Sequence, residues 1–415
     1  MILNYLKIAW KVLLRHPFYT FITLFGIVLT LTVLMVLTSF LDHLFGAHYP
    51  EIRRGRSLYI TRMIRQDTTN QGRNMGPMSF DFLKKYAKTL QTPERVGITT
   101  MFGFANTYVN GKRIKLNTKF TDADFWGVTD FEFLEGKPFT EQNIRSGDHV
   151  VVITDDLRKQ YFEDDGASVV GKYIDIESIN YRVIGVVQGS PVTRPYTYGD
   201  VYFPYTAPKS NYQNKGLGGG YLALVLAKDE GDIPAIRAEF ASAISKIPLP
   251  QTEGGFTFQV LKAEANPYLD DFASTFLSDN ESRKAIVYSV LVFLMLMLMG
   301  LPAINLVNVN VSRILERASE IGVRKAFGAP AKALLWQFII ENIFITFIGG
   351  LVALLLSWLI IILINQSGWI PYADLTINVP VFAASIAVCL VFGLLSGVLP
   401  AFRMSKLKIV DALKA

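Results

Sequence analysis

One cysteine and four histidines in 415 residues leave little room for the chemistry those side chains carry. A lone thiol, Cys389, closes no intramolecular disulfide, so any part facing an oxidising compartment must be held by its core. His43 and His48 are five residues apart, which matches neither one helical face nor a metal-ligand spacing, and His16 and His149 are remote. No Gly-x-Ser-x-Gly occurs. The acidic pairs Asp155–Asp156 and Asp164–Asp165 read as helix ends and solvated turns. The run Gly166-A-S-V-V-Gly171-Lys172 imitates a phosphate-binding loop, but Tyr173 stands where a magnesium-ligating Ser or Thr belongs, and a strand is expected after Lys172. These absences exclude a catalytic site, a metal site, a cofactor and a nucleotide site of the chain's own. Charged residues are scarce as well, at 18%.

The scarcity of charge is uneven. The stretches 18–41, 285–311, 343–364 and 379–399 carry none, and each has about the 20 residues a helix needs to cross a bilayer. Hydrophobic residues make up 51% of the chain and its mean hydropathy is +0.30. Lys7, Lys11 and Arg15 precede the first run. Arg313, Arg317, Arg324, Lys325 and Lys332 follow the second. Arg403, Lys406, Lys408 and Lys414 follow the fourth, whereas 365–378 has no basic residue. Positive loops stay inside. The pattern therefore predicts a membrane protein with four transmembrane α-helices in a 1+3 arrangement, both termini cytoplasmic, and a large extracytoplasmic α+β domain between spans 1 and 2. The boundaries are 1–17 for a basic amphipathic helix on the inner surface and 18–41 for the first span, an uncleaved anchor. The external domain occupies 42–284, the second span 285–311 and a cytoplasmic segment 312–332. The third span is 333–364, the external loop 365–378, the fourth span 379–400 and the tail 401–415. Between residues 42 and 284, 29 basic and 30 acidic residues balance, so the net charge of +6 lies in the inner fringes, facing anionic lipid and partner protein rather than nucleic acid.

The segment 316–329 reads E-R-A-S-E-I-G-V-R-K-A-F-G-A. Ile314, Leu315, Ala318 and Ile321 fall on one helical face and Arg313, Arg317, Glu320 and Arg324 on another, with Glu320 four residues before Arg324. Gly328 is placed to end the helix and Pro330 to open the next. This stretch, continued through Lys332, Gln337–Phe338, Glu341 and Gly349–Gly350, resembles the signature of the FtsX-like permeases, the MacB-type branch of ABC transporters. Val323 and Phe327 stand where that family has Ile and Leu. The resemblance implies a coupling helix that docks on an ATPase, with Glu316, Arg317, Glu320, Ile321, Gly322, Arg324, Lys325 and Gly328 as coupling residues. The ending, from Leu399-Pro400-Ala401 to Ala412-Leu413-Lys414, is similar to the family's too.

Within 42–284, alternation predicts a strand at 57–64, 150–154 reads as a strand of the buried type, and further strands are expected at 104–109, 112–120, 173–176, 181–188, 221–227 and 256–261. Asn110–Gly111 is a hairpin signal. Ser79 is placed to cap a helix to Leu90, Asp155 one to Phe162, and Asp232 with Pro234 one to Ile244. The Pro/Gly-rich stretch 189–220 is a candidate joint between two lobes. Asp124-Phe125-Trp126, the run 131–139, Val151–Ile153 and 170–187 resemble the MacB-type periplasmic core.

In the spans, Gly349, Ala353 and Ser357 recur every four residues, as do Ser385, Cys389, Gly393 and Gly397. Such small stripes pack helices closely; the expectation is that spans three and four meet there, with a homodimer contact as the other reading. Asn305 and Glu341 are polar groups at membrane depth. For Glu341 an interface or coupling role and plain snorkelling weigh equally. Trp10 and Trp336 mark the inner membrane interface, Trp369 and Tyr372 the outer.

The resemblance implies a permease subunit in the cell inner membrane that transmits the motion of a separate ABC ATPase to its external domain. Export of a peptide, antibiotic or lipid-linked molecule is the expected role. It implies a homodimer, or a heterodimer with a second permease, and a periplasmic adaptor. Lipoprotein release and control of a cell-wall hydrolase are alternatives within the class. A membrane sensor with an external ligand domain is the alternative outside it.

Overall fold

The computed structural model describes residues 17–101, 103–162, 167–253, 255–276, 330–369 and 374–391, with 11, 14, 15, 323, 372 and parts of 285–304. Two compact units emerge. One comprises Met1–Asp42, Ala285–Trp369 and Asp374–Ala415; the other, here the inserted unit, comprises His43–Lys284 and Ile370–Ala373.

In the first unit, α1 (Pro17–Phe45) supplies 26 residues long and apolar enough to span a bilayer. Helix α8 (Ala331–Ser367) supplies a further 29, and α9 (Val379–Val391) is a shorter apolar helix. The expected second span lies largely outside the described residues. On α8, Glu341, Ile345, Gly349, Ala353, Ser357 and Ile361 are buried at every fourth position, while Phe347, Leu355, Trp358 and Leu359 on the opposite side are exposed. The buried stripe runs against α1: a Cβ at Gly349 would meet Ile27 at 2.7 Å, and Ile27, Leu31, Ile345, Ala353 and Cys389 form one cluster. The sequence pattern points this stripe at the fourth span; Ala353 shares its cluster with Cys389 of α9, and Gly350 also faces α9, where its Cβ would meet Ile386. Successive helical residues point about 100° apart, so two adjacent glycines admit two different neighbours.

The inserted unit is built on a ten-stranded sheet. Its strands are β1 (Ser57–Ile60), β4 (Arg95–Thr100), β5 (Gly103–Val109), β6 (Lys112–Thr121), β7 (Phe133–Gly136), β8 (Val150–Thr154), β9 (Tyr173–Ile176), β10 (Ile179–Val187), β11 (Val201–Pro204) and β12 (Tyr221–Leu226). The order is β1-β12-β4-β6-β11-β8-β10-β7, with β5 on β6 and β9 on β10. A smaller sheet joins β2 (Met63–Asp67) and β3 (Gly72–Gly76) to β15 (Val260–Ala263), and β13 (Gln251–Glu253) pairs with β14 (Phe256–Phe258). Strands β8 and β12 are buried at every residue, as fits central strands covered on both faces. Helices α2 (Phe80–Tyr86) and α6 (Ile233–Ser245) pack over β1, β4 and β12, and α5 (Asp155–Phe162) over β8 and β10. Helices α3 (Phe125–Val128), α4 (Glu141–Ser146) and α7 (Tyr268–Phe276) contribute to the core on the other side.

Several local expectations hold. Asn110 and Gly111 have φ of 49° and 76°, the left-handed pair of a two-residue hairpin. Ser79 Oγ accepts from the Phe82 amide at 3.1 Å. Others change. The expected strand 57–64 is cut at Thr61–Arg62, whose side chains turn to Asp271, and its halves enter different sheets. The expected strand 256–261 is cut at Gln259, which binds the 66–68 turn instead. The α2 helix stops at Tyr86, where Ala87 and Lys88 both donate to Leu83. Asp232 makes no side-chain cap, though Pro234 does sit in the first turn of α6. The stretch 189–220 is no joint between lobes, because β11 inserts it between β6 and β8 in one continuous sheet.

Gly349→Leu should overpack α1 against α8 and destabilise the chain by about 1–3 kcal/mol. The thermal midpoint in detergent should drop by several degrees, whereas Phe347→Leu, on the exposed side, should leave it unchanged.

Candidate functional site

A helix leaves its last carbonyls without partners. At the end of α1 two arginines take them. Arg54 Nη1 donates to the Leu44 carbonyl at 2.8 Å, and Arg194 Nη2 donates to those of His43 and Gly46 at 3.3 and 3.1 Å. One carboxylate serves both guanidiniums. Glu51 Oε2 accepts from Arg54 Nε at 2.9 Å and from its Nη2, from Arg194 Nη1 at 3.2 Å and from the Tyr59 hydroxyl at 3.3 Å. The Arg54 guanidinium also stacks 3.8 Å over the Tyr268 ring. Arg194 is fully buried, and Arg54 and Glu51 are 5% and 6% exposed. Burial works against the charge of both arginines. At Arg54 the two-pronged contact with Glu51 outweighs it and the pKa rises; Arg194, with one longer contact and Arg54 beside it, is lowered. Two cations thus face one carboxylate plus the negative end of a helix, a fraction of a charge in itself.

A second centre lies at Asp271 on α7. Its carboxylate accepts from Thr61, from Arg62 at 3.2 Å and from the Tyr196 hydroxyl. Tyr196 and Arg194 are two residues apart in one loop. The loop therefore ties the residues that begin the inserted unit to the helix near its end. The rings of Tyr59, Tyr196 and Tyr268 pack between the two centres. The loop is in turn mounted on the sheet. The Tyr202 hydroxyl on β11 donates to the Thr197 carbonyl at 2.8 Å. Lys119 on β6, fully buried, donates to the carbonyls of Thr100, Met101 and Pro195 at 2.9, 2.7 and 2.7 Å. Burial pulls the Lys119 ammonium down to about 7.

Of the residues singled out in the sequence, Glu341, Gly349 and Ala353 are described. Glu341 is 2% exposed, on the α8 face that carries Gly349. Asn305, Glu316, Arg317, Glu320, Ile321, Gly322, Arg324, Lys325, Gly328, Gly393 and Gly397 lie outside the described residues. Tyr372, read as an interface anchor, belongs to the inserted unit, where its ring fills the space a Cβ on Gly189 would need. No metal-binding cluster occurs among the described residues. The phosphate-loop imitation is a turn: Ser168 Oγ and the Val169 amide donate to Glu135, Gly171 has φ +92°, and β9 follows. Sequence reasoning did not single out Glu51, Arg54, Lys119, Arg194 or Asp271. Only Glu51 and Arg54, three apart, leave a local trace.

The fold defines a membrane protein with an α+β unit inserted after its first apolar helix. The sequence profile of the MacB-like periplasmic core domain matches residues 20–243, and that of the FtsX-like permease C-terminal region matches 292–409. The chain belongs to the FtsX-like permeases that carry a MacB-like periplasmic core domain. It is 28% identical over 292 residues to the macrolide export ATP-binding/permease protein MacB of Psychrobacter cryohalolentis, covering 70% of this chain and 41% of that protein. It is 25% identical over 306 residues to the uncharacterized ABC transporter permease YvrN of Bacillus subtilis, covering 71% and 68%. The periplasmic region of MacB from Actinobacillus actinomycetemcomitans superposes with a TM-score of 0.36 at 15% identity, over 55% of this chain and 96% of that one. The chain spans about two-fifths of the length of the MacB relative from Psychrobacter.

Glu51→Gln should be the costliest change at the clamp, about 3–5 kcal/mol, because two buried guanidiniums lose their shared counter-ion. Arg194→Met leaves a one-to-one pair and should cost less, about 1–3 kcal/mol. Urea titration of the two variants, followed by tyrosine fluorescence, orders them. Lys119 generates a pH dependence. Its folded pKa is depressed, so the native state binds fewer protons than the unfolded one between the two values. Its stabilising contribution is full above the ordinary lysine value and is lost as pH falls to about 7. Stability measured between pH 10.5 and 6 should show this slope, and Lys119→Met should flatten it.

Proposed function

We propose that the chain is the permease subunit of an ABC transporter, driven by an ATPase subunit, and that it works by mechanical transmission to an extracytoplasmic domain. The observation that carries this reading is the double-arginine clamp on the end of α1. Helix ends at a protein surface are ordinarily left to water. Here three buried charged side chains are committed to one, and the same loop grips α7 through Tyr196 and Asp271. A joint built this way passes displacement of its helix to the centre of the sheet instead of absorbing it.

In this reading the termini and 312–332 are cytoplasmic and the inserted unit is outside, with 316–329 docked on the ATPase. Closure of the ATPases on ATP moves that segment, and the movement reaches the inserted unit, which acts on substrate at the outer side. Relatives named for both ATP binding and macrolide export support the pairing with an ATPase and favour export of an apolar or amphipathic compound. A relative named as an ABC transporter permease supports a permease working with its ATPase on another chain. The assembly is a dimer, homomeric or with a second permease, and an adaptor outside the membrane fits the same scheme.

Reversal of charge at Arg324 and Lys325 to Glu should abolish stimulated ATP hydrolysis in the reconstituted complex while membrane insertion persists. Arg194→Met should do the opposite. Hydrolysis and ATPase binding should survive, and movement of the inserted unit, read by distance labels on it, should fall at least severalfold. Full stimulated hydrolysis in the charge-reversed protein would sink the coupling role; unchanged movement in Arg194→Met would sink the clamp's part in it.

A further inference from the structure

On the inserted unit, a cleft of about 240 Å³ opens beside β5 and β6. Its walls are aromatic: Phe104, Phe120, Tyr181 and Phe203 line it, with Phe120 stacked on Phe203 at 5.3 Å and Tyr181 edge-on to Phe203 at 4.8 Å. Phe104 is 61% exposed, although a core has every reason to take in such a ring. Gly103 also lines the cleft, paired with Thr118 on β6; a Cβ there would lie 2.4 Å from Thr118 Oγ1.

The charged lining is one carboxylate and one ammonium, and a second ammonium, Lys115 Nζ, lies 4.2 Å from the centroid of the Phe104 ring. Lys209 Nζ lies 2.6 Å from Glu177 Oε2 and 3.4 Å from the Glu177 carbonyl. Both residues are held in the left-handed region, with φ of 69° and 52°. Glu177 and Ser178, at φ 66°, form the two-residue turn between β9 and β10, a place where Asn-Gly is the unstrained choice. A glutamate there is held under backbone strain. Its return is the position of the carboxylate, at the rim of an aromatic cleft. That carboxylate acts inward: burial first, and the Glu177 charge next, push the Tyr181 phenol up to about 12.

We propose that this cleft is a binding site for an organic cation, an amine on an apolar or aromatic body about the size of a bicyclic ring system. The faces of aromatic rings attract cations, and a carboxylate at the rim completes the recognition. Lys209 marks where the ligand ammonium sits and is its competitor. The Lys209–Glu177 pair is solvent-exposed on the lysine side, so exchanging one ammonium for another costs little. An anion of the same shape meets Glu177 and the negative ring faces, finds Lys209 already paired, and binds more weakly. The site stands apart from the ATPase-coupling reading and does not depend on it.

Tryptamine and 3-indolepropionate are matched in shape and opposite in charge. Each is titrated calorimetrically into the full chain in lipid nanodiscs, with empty nanodiscs subtracted. Tryptamine should bind at least about tenfold more tightly, the weight of one charge-assisted contact. Glu177→Gln should erase that preference and Lys209→Met should strengthen it. Phe104→Ala, at an exposed ring where folding is safe, should weaken tryptamine binding severalfold. Equal affinity for the two indoles, or a tryptamine affinity indifferent to both Glu177→Gln and Phe104→Ala, overturns the proposal.

Discussion

Glu51 is a single carboxylate shared by two buried guanidiniums, and the inserted unit is assembled around that shortage of negative charge. With Oε2 of Glu51 shared by Arg54 and Arg194, an Nη group of each guanidinium turns to the open carbonyls at the end of α1. The helix terminus is thus part of the charge balance and not merely adjacent to it. Removing a helix end from such a site would leave buried donors unsatisfied, at about 1–3 kcal/mol each. This is why the position of residues 43–46 is coupled to the interior of the unit.

The loop that carries Arg194 extends the same logic. Its backbone is held by groups from two directions, the Tyr202 hydroxyl at Thr197 and the Lys119 ammonium at Pro195, and the Ser190 and Thr197 hydroxyls, 2.9 Å apart, close the loop on itself. Its side chains reach in two, to Glu51 and to Asp271. A loop so restrained has few alternative conformations, and what it grips at one end it reports at the other. Buried ionic networks are poor sources of stability, since desolvation offsets most of their attraction. They do fix geometry, because any other arrangement leaves a charge uncovered. Transmission of movement, as proposed, needs fixed geometry more than it needs net stability.

The aromatic cleft uses charge differently. Its Glu177–Lys209 pair is at the surface, weak and exchangeable, where the Glu51 pair is buried and permanent. The two carboxylates differ in burial, 6% for the Glu51 side chain against 32% for Glu177, and that difference separates a joint from a rim.

Much of the fold was legible in the chain. Runs without charge marked the apolar helices, Asn110–Gly111 marked its hairpin, and β8 was apolar enough to be read as a buried strand, because these signals are local and act on the residues that carry them. The E-R-A-S-E-I-G-V-R-K-A-F-G-A stretch and the 170–187 turn and strand carried the family. What tertiary structure alone decided is which distant residues meet. Glu51 and Arg54 have local neighbours, but Arg194 lies 143 residues beyond Glu51, and Tyr196 75 residues before Asp271. Nothing near Lys119 in the sequence foretells three carbonyls around its ammonium. Gly349 announced a close helix contact through its missing side chain, yet only packing chose α1 as the neighbour. A side chain's own chemistry is written in its identity; its partner is chosen by the sheet order, and the sheet order is set by contacts across the whole chain.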